Sequence, residues 1–183
     1  MMSDLEERVR RIEDTLAIQQ LPVRYAMAVD ERDLDAWVAL FVPDVWVGRD
    51  TYGREALRES IAVMTQAFYR SIHQIVGHRI DLIDAENATG SVYCRAEHEV
   101  GDEWIVMAIR YDDTYRKVDG QWFFSRRKER HWYAADITAR PQAVGFEGWS
   151  MAGRPNLPGS TAWRDFWAPI DATSVTSHPV ETE

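Results

Sequence analysis

The sequence has very little cysteine: Cys94 is the only one among its 183 residues. A single cysteine cannot form a disulfide within the chain, and no set of Cys and His residues has the spacing of a zinc site. A chain of this length with 45% hydrophobic residues can bury a core without such crosslinks. We therefore expect a protein of a reducing compartment, the cytoplasm, with no structural metal.

Long apolar runs and an excess of positive charge are also missing. The first residues carry charges throughout, unlike a secretory signal, and no apolar run approaches the roughly 18 residues that span a bilayer. The 21 Lys and Arg residues against 30 Asp and Glu leave a net charge of −9. This charge repels phosphate backbones and anionic lipid. We expect neither a membrane nor a nucleic acid as a partner.

Glycine motifs that bind phosphates or nucleotides are absent as well. The sequence contains no G-x-G-x-x-G, no phosphate-binding loop and no G-x-S-x-G turn. We expect chemistry without a cofactor or a metal. Single titratable side chains set among apolar ones support acid–base chemistry of that kind.

Aromatic residues, by contrast, are abundant: they make up 11% of the chain and include eight Trp. Large flat side chains suit a cavity for a flat apolar ligand. They equally suit a core and a subunit interface. Composition alone leaves both interpretations open.

The first part of the chain has helical patterns. Apolar residues at helical spacing predict helices over the first forty residues and over 54–70, and Pro22 either kinks or restarts the first helix. A short strand is predicted at 45–47 between them. The apolar stripe that opens the first helix consists of Leu5, Val9, Ile12 and Leu16.

Four strand-like runs follow the helices. Hairpin signals separate them, and Asp119-Gly120 is the strongest of these. This order predicts an α+β fold in which a curved antiparallel sheet wraps over helices. The predicted strands are 72–83, 88–100, 104–118 and 121–132.

The end of the chain has a different composition. Five of the seven prolines and four of the ten glycines follow residue 134, together with five large aromatic residues. Disordered segments are poor in aromatic residues. We therefore expect one domain over 1–133, an ordered arm or lid over 134–170 and a flexible tail over 171–183.

Three histidines lie on the predicted strands. Period-two alternation points His98 inward, either as a hydrogen-bonded core residue or as a functional one. His73 and His78 are five residues apart, so they lie on opposite faces unless a bulge near Gly77 changes the phase. The pattern does not decide which of the two lines the interior.

Charged residues occupy two further candidate positions. Asp30 is either a helix-terminal carboxylate or a functional one, and Tyr25 shares its face only if the helix loosens between them. One of Arg126 and Arg127 must face inward on a strand, where it needs a carboxylate or a substrate anion as its partner.

Together these features resemble the SnoaL-like branch of the nuclear transport factor 2-like superfamily. That branch includes scytalone dehydratase, bile acid 7α-dehydratase, a hexachlorocyclohexane dehydrochlorinase and polyketide cyclases. The resemblance covers about residues 5–133. The motifs that carry it are Tyr25-x4-Asp30-x2-Asp33-x3-Trp37-x2-Leu40-Phe41-x2-Asp44, then Gly53-Arg54-Glu55-Ala56-Leu57, then Ile72-His73, and finally Arg110-Tyr111-x3-Tyr115-x4-Gly120-x-Trp122-x4-Arg127.

The resemblance implies a cone-shaped, cystatin-like α+β barrel around an apolar cavity, and it implies roles for individual residues. His73 is expected to be the general base, Asp30 its partner, and Tyr25 a hydrogen-bond donor to the leaving hydroxyl or to a developing enolate oxygen. Arg127, with His98, is expected to supply positive charge. The expected substrate contacts are His98, Trp37, Phe41, Tyr111 and Trp149 of the C-terminal arm.

We therefore expect a cofactor-independent dehydratase acting on a flat, apolar, hydroxylated molecule, such as a hydroxysteroid, a bile acid or a polycyclic aromatic. The same scaffold suits an isomerase, a polyketide cyclase, a dehydrohalogenase or a carbon–carbon lyase. A binding protein without catalysis is the alternative from another class. A homo-oligomer, a dimer or a trimer, is expected from the family and from the aromatic arm.

Overall fold

The structure is a computed structural model that describes residues 4–139 and residue 161. The α+β class is confirmed: helices precede a four-stranded antiparallel sheet. The predicted arm, the predicted tail and Trp149 lie outside the described residues, apart from 134–139 and 161. The elements are α1 (Asp4–Asp30), α2 (Leu34–Val38), β1 (Trp46–Gly48), β2 (Thr51–Tyr52), α3 (Arg54–Thr65), β3 (Ser71–Leu82), β4 (Asn87–Val100), β5 (Glu103–Val118) and β6 (Gln121–Asp136).

The four long strands form a sheet in chain order, each antiparallel to the next. Asp119 and Gly120 connect β5 to β6 with φ angles of 49° and 80°. Two consecutive residues with positive φ make the turn whose twist matches a hairpin, which explains why this dipeptide was the strongest turn signal.

Helix α1 closes the sheet into a rounded body. It contacts both β3 and β6, the two edge strands, so the sheet curls around the helix. The segment after α2 seals the β6 side, where the Phe124 amide donates to the Leu40 carbonyl at 2.9 Å and the Val42 amide donates to the Phe124 carbonyl at 2.9 Å. The interior of this body lies between α1 and the inner face of the sheet.

Side chains on the inner face of the sheet form rows, in which residues of neighbouring strands lie opposite one another. Registers between strands define the rows, and most of their members are buried. From one end to the other the rows are Ser71, His98, Ile105 and Asp136; His73, Ala96, Met107 and Ala134; Ile75, Cys94, Ile109 and His131; His78, Val92, Tyr111 and Glu129; Ile80, Gly90, Asp113 and Arg127; and Leu82, Ala88, Tyr115 and Phe124.

Irregularities in β3 and β6 decide which residues belong to these rows. The pairing of β3 shifts between Ile75 and Gly77, so Val76 is an extra residue that faces outward. An extra residue reverses the alternation beyond it. His73 and His78 therefore both point inward, and the bulge near Gly77 that the sequence left open is present. In β6, Ser125 and Trp132 are likewise extra residues in the pairing with β5.

Several elements differ from the sequence-based expectation. Helix α1 continues through Pro22 to Asp30 without a restart. The apolar stripe at its start is exposed, because burial along α1 begins only at Asp14. Strand β2 was not predicted, α3 ends at Thr65 instead of residue 70, and β6 runs past its predicted end to Asp136. None of the described helices is long and apolar enough to cross a membrane.

Candidate active site

A histidine–carboxylate pair joins the end of α1 to the start of β3. Asp30 is the last residue of α1, and the chain then turns through Arg32 at a φ of 61°. The Asp30 Oδ1 lies 2.7 Å from Nδ1 of His73, and the Asp30 Oδ2 accepts the His73 backbone amide at 2.8 Å. The two bonds to one residue fix the carboxylate and the ring relative to each other.

This geometry sets the proton positions on His73. An ionised carboxylate can only accept hydrogen bonds, so Nδ1 carries the proton and Nε2 presents a lone pair. No hydrogen bond to Nε2 is formed by the residues that the structure describes. His73 thus has the proton arrangement of a general base, with an Nε2 lone pair that no described residue uses.

Two residues that sequence reasoning missed support the pair. Ser71 donates its hydroxyl to Asp30 Oδ1 at 3.1 Å, and Arg32 Nη1 donates to the Ser71 hydroxyl at 2.8 Å. Burial alone would raise the pKa of Asp30, but the hydrogen bonds from His73 and Ser71 outweigh it and lower that pKa below its usual value. Asp30 is therefore ionised at neutral pH.

His98 lies beside His73 on the inner face. The two rings meet edge to face with centroids 5.4 Å apart, and Phe68 covers His98 at 4.4 Å. Burial first, and then the neighbouring His73, lower the pKa of His98 to about 4. His98 is therefore neutral at pH 7, which does not favour the expected contribution of positive charge; that role stays a prediction.

His78 also points inward, but its side chain belongs to a closed network. Its Nε2 lies 2.9 Å from the Tyr115 hydroxyl, which donates to Asp113 Oδ2 at 2.9 Å. Arg127 donates to both oxygens of Asp113, from Nε at 2.9 Å and from Nη2 at 2.7 Å. The Nε2 of His78 is thus occupied, whereas the Nε2 of His73 is open.

Arg127 is the inward member of the arginine pair, and Asp113 is the carboxylate it requires. Its guanidinium also lies against the rings of Tyr25, Tyr111 and Phe124 at 4.4, 4.2 and 4.3 Å. Burial would lower the pKa of Arg127, but Asp113 raises it above its usual value. Its charge is balanced by Asp113, while its buried Nη1 has no hydrogen-bond partner among the described residues.

Aromatic side chains of the predicted site line a cavity of about 380 Å³ beside Arg127. Tyr25 packs at centroid distances of 5.6 Å from Trp37, 6.4 Å from Phe41 and 6.0 Å from Tyr111. Burial raises the pKa of Tyr25 to about 12, so its hydroxyl keeps its proton at neutral pH. The predicted residues Tyr25, Trp37, Phe41, Tyr111 and Arg127 are thus brought together here.

The pair at His73 and the aromatic cavity are distinct clusters on one inner face. Neither His73 nor His98 lines the cavity. Cys94 lies in the row of the sheet between that of His73 and that of Tyr111, and burial raises its pKa to about 12. Helix α1 stays regular to Asp30, so Tyr25 and Asp30 point in different directions and serve different clusters.

Sequence reasoning also missed two inward residues of β6, Glu129 and His131. The alternation that places Arg127 on the inner face places both of them there as well, so the signal was present in the pattern. Glu129 lines the cavity with Tyr25 and Arg127. Within 4–139 and 161, no three metal-ligating side chains come together in a group that could hold a metal ion.

Known proteins share this arrangement of elements. A model of the SnoaL-like domain matches residues 10–128. The gamma-hexachlorocyclohexane dehydrochlorinase of Sphingobium indicum is 32% identical over 133 residues, which are 69% of this chain and 83% of that protein.

Two solved structures are similar as well. A "Putative Scytalone Dehydratase" of Novosphingobium aromaticivorans is 26% identical, with a TM-score of 0.62 over 73% of this chain and 94% of that one. The hexachlorocyclohexane dehydrochlorinase LinA-type3 of Novosphingobium barchaimii is 23% identical, with a TM-score of 0.64 over 73% of this chain and 96% of that one. This second similarity is one of fold alone. The resemblance found in the sequence is confirmed, and the chain belongs to the SnoaL-like domain family of the nuclear transport factor 2-like superfamily.

Proposed function

We propose that this protein is a cofactor-independent lyase that removes water from a flat, apolar, hydroxylated substrate. The observation that carries the proposal is the His73–Asp30 pair, with Nδ1 bound to a fixed carboxylate at 2.7 Å and Nε2 open. A base of this kind contributes about 10²–10⁴-fold to a proton transfer. The names of the relatives, a dehydrochlorinase and a scytalone dehydratase, belong to enzymes that eliminate a small molecule.

The reaction needs one proton acceptor and a protonated leaving group. Nε2 of His73 takes a proton from the carbon next to the hydroxyl-bearing carbon, and the C–H electrons form the new double bond. The C–O bond breaks, and the departing hydroxide takes up the proton from the His73 imidazolium to become water. Asp30 stabilises the imidazolium while it exists, as a buried carboxylate does in a catalytic triad.

Tyr25 and Arg127 would bind oxygen atoms of the substrate. Tyr25 keeps its proton, because burial raises its pKa to about 12, and can donate a hydrogen bond to the leaving oxygen. Arg127 Nη1 is a second donor without a partner in the described part of the chain. Donors aimed at developing negative charge in a site that excludes water stabilise the transition state strongly.

Elimination of hydrogen halide is the second candidate, favoured by the 32% identity to a dehydrochlorinase. It uses the same base on His73. It differs in the leaving group, since chloride departs without a proton, and Tyr25 would then not be needed as a donor.

A panel of substrates tests the proposal. The purified protein is incubated with a hydroxysteroid, a bile acid, a polycyclic aromatic alcohol and γ-hexachlorocyclohexane, and products are identified by mass spectrometry. We expect loss of water from a hydroxylated compound. Loss of hydrogen chloride alone would favour the second candidate, and isomerised, cyclised or carbon–carbon cleaved products would overturn both.

His73→Ala tests the role of the base in the same assay. We expect turnover to fall by about 10²–10⁴-fold and to be partly restored by added imidazole, which can occupy the vacated space. An unaltered rate would exclude His73 as the base. A rate that falls without imidazole rescue, together with a lowered melting temperature, would indicate a structural role.

A further inference from the structure

Glu129 and His131 form a second histidine–carboxylate pair on the inner face of β6. Glu129 lies opposite Tyr111 and His131 lies opposite Ile109 in the register of the sheet. The proposed elimination uses neither of them.

The geometry of the pair leaves one oxygen of Glu129 open. Its Oε1 lies 2.6 Å from Nε2 of His131, whose side chain is 9% exposed. The carboxylate accepts, so the ring donates and holds Glu129 in one position. Oε2 accepts no hydrogen bond from any described residue, and the side chain keeps 40% of its surface exposed.

Glu129 lines the same cavity as Tyr25, Tyr111 and Arg127. The guanidinium of Arg127 is already engaged by Asp113 and forms no ion pair with Glu129. The cavity therefore has a carboxylate acceptor whose remaining bond is available to a ligand.

We propose that Glu129, positioned by His131, accepts a hydrogen bond from a hydroxyl group of the substrate and selects hydroxylated ligands over halogenated or etherified ones. A carboxylate can only accept, so a hydroxyl satisfies it, whereas a halogen or an ether offers no hydrogen and leaves it unpaired. The inference rests on the proposed function in one respect: it assumes that the substrate of the elimination extends from His73 into this cavity. A site that selects hydroxylated ligands favours dehydration over loss of hydrogen halide.

Two probes that share one ring system test the inference without turnover. Binding of 2-naphthol, which carries a hydroxyl, and of 2-methoxynaphthalene, which does not, is measured by isothermal titration calorimetry. We expect the wild-type protein to bind 2-naphthol about tenfold or more tightly than 2-methoxynaphthalene, as a hydrogen bond to a charged group predicts. Glu129→Leu should abolish this preference, and Glu129→Gln should reduce it.

Matched variants separate a lost contact from a lost fold. Glu103→Gln removes the same charge from an exposed position at the start of β5 and should keep the full preference. His131→Gln should weaken the preference while the melting temperature and the affinity for 2-methoxynaphthalene stay the same, because it frees the Glu129 side chain. A His131 variant that weakens both probes equally would contradict the positioning role.

Failure of this inference differs from failure of the proposed reaction. The inference is wrong if the wild-type protein binds both probes equally or binds neither. It is also wrong if Glu129→Leu keeps the preference for 2-naphthol. Turnover that depends on His73 can persist in each of these cases. The opposite result is also distinguishable. If binding of 2-naphthol depends on Glu129 but no turnover depends on His73, the proposed reaction is wrong and the proposed binding site is supported.

Discussion

The inner face of β3 carries two histidines with different hydrogen-bond partners. His73 has one nitrogen bound to Asp30 and the other free, and its partner Asp30 keeps 23% of its side chain exposed. His78 is bound to Tyr115, and the Asp113–Arg127 pair behind it is 0% and 5% exposed. Each ring thus has one bonded nitrogen and one without a hydrogen-bond partner among the described residues, since Nδ1 of His78 is buried and unpaired. The rings differ in their partners: an ionised carboxylate, which can stabilise an imidazolium, binds His73, and a tyrosine hydroxyl binds His78. We call His73 with Asp30 the open pair, and His78 with Tyr115, Asp113 and Arg127 the closed network.

The closed network also contains the interactions whose loss is most costly. Removing one member of a buried ion pair leaves the other charge without a partner and costs about 3–5 kcal/mol. Ion pairs nearer the surface are worth about 0–1 kcal/mol. The comparison therefore predicts that substitutions in the closed network lower stability and substitutions in the open pair lower turnover.

Asp113→Ala should produce the largest loss of stability. It leaves Arg127 buried without its carboxylate, so we expect the free energy of unfolding, measured with urea, to fall by about 3–5 kcal/mol. Asp112→Ala is the matched control, because Asp112 pairs with Arg110 and Arg130 at a partly exposed position. Equal losses of unfolding free energy for the two variants would show that the buried pair of Asp113 and Arg127 contributes no more to stability than the partly exposed pairs of Asp112.

Gly90→Ala should disturb the closed network from the adjacent strand. A Cβ at Gly90 would lie 2.6 Å from the Arg79 carbonyl, 3.1 Å from Tyr115 and 3.2 Å from His78. Such crowding costs about 1–3 kcal/mol of unfolding free energy. Gly77→Ala, which has open space around it, is the control and should change stability by less. A Gly90 variant as stable as the wild type would contradict the packing described here.

His98 should make stability depend on pH. Because burial lowers its folded pKa from 6.5 to about 4, the folded protein binds this proton less readily than the unfolded chain. Stability is therefore lost as pH falls below about 6.5, and we expect the unfolding free energy to drop by about 2 kcal/mol between about pH 8 and pH 5. His98→Leu should flatten this part of the profile. An unchanged slope would mean that His98 does not titrate in this way.

Arg32→Met should have the smallest effect, on turnover rather than stability. Arg32 donates to Ser71, which holds Asp30 against His73, so it positions the pair without contacting it. We expect kcat to fall by roughly tenfold with little change in KM, consistent with about 1.4 kcal/mol of lost transition-state stabilisation. Arg24→Met is a matched exposed control. A change confined to KM would contradict the positioning role.

The sequence allowed the order of elements and most of the inner face to be predicted. Period-two alternation on β4 places His98 inward, as the structure does, and Asp119-Gly120 marks the turn between β5 and β6. The sequence predicted that the inward member of the pair Arg126 and Arg127 needs a carboxylate or a substrate anion as its partner. Its identity, Asp113, depends on the register between β5 and β6.

Other features depend on interactions that local patterns do not contain. The extra residue Val76 decides that His78 faces inward, and a bulge arises from pairing with another strand. Arg32 reaches the pair through a turn with positive φ that no spacing rule predicts. The apolar stripe of α1 has the pattern of a packed face, but burial depends on how far the sheet extends along the helix.

The contrast between the two histidines is tested most directly by measuring turnover and unfolding free energy for His73→Ala and His78→Ala side by side. The account predicts that His73→Ala loses about 10²–10⁴-fold in turnover at nearly unchanged stability, and that His78→Ala keeps the turnover of its folded fraction while losing stability. Loss of turnover in His78→Ala, with activity retained in His73→Ala, would contradict it.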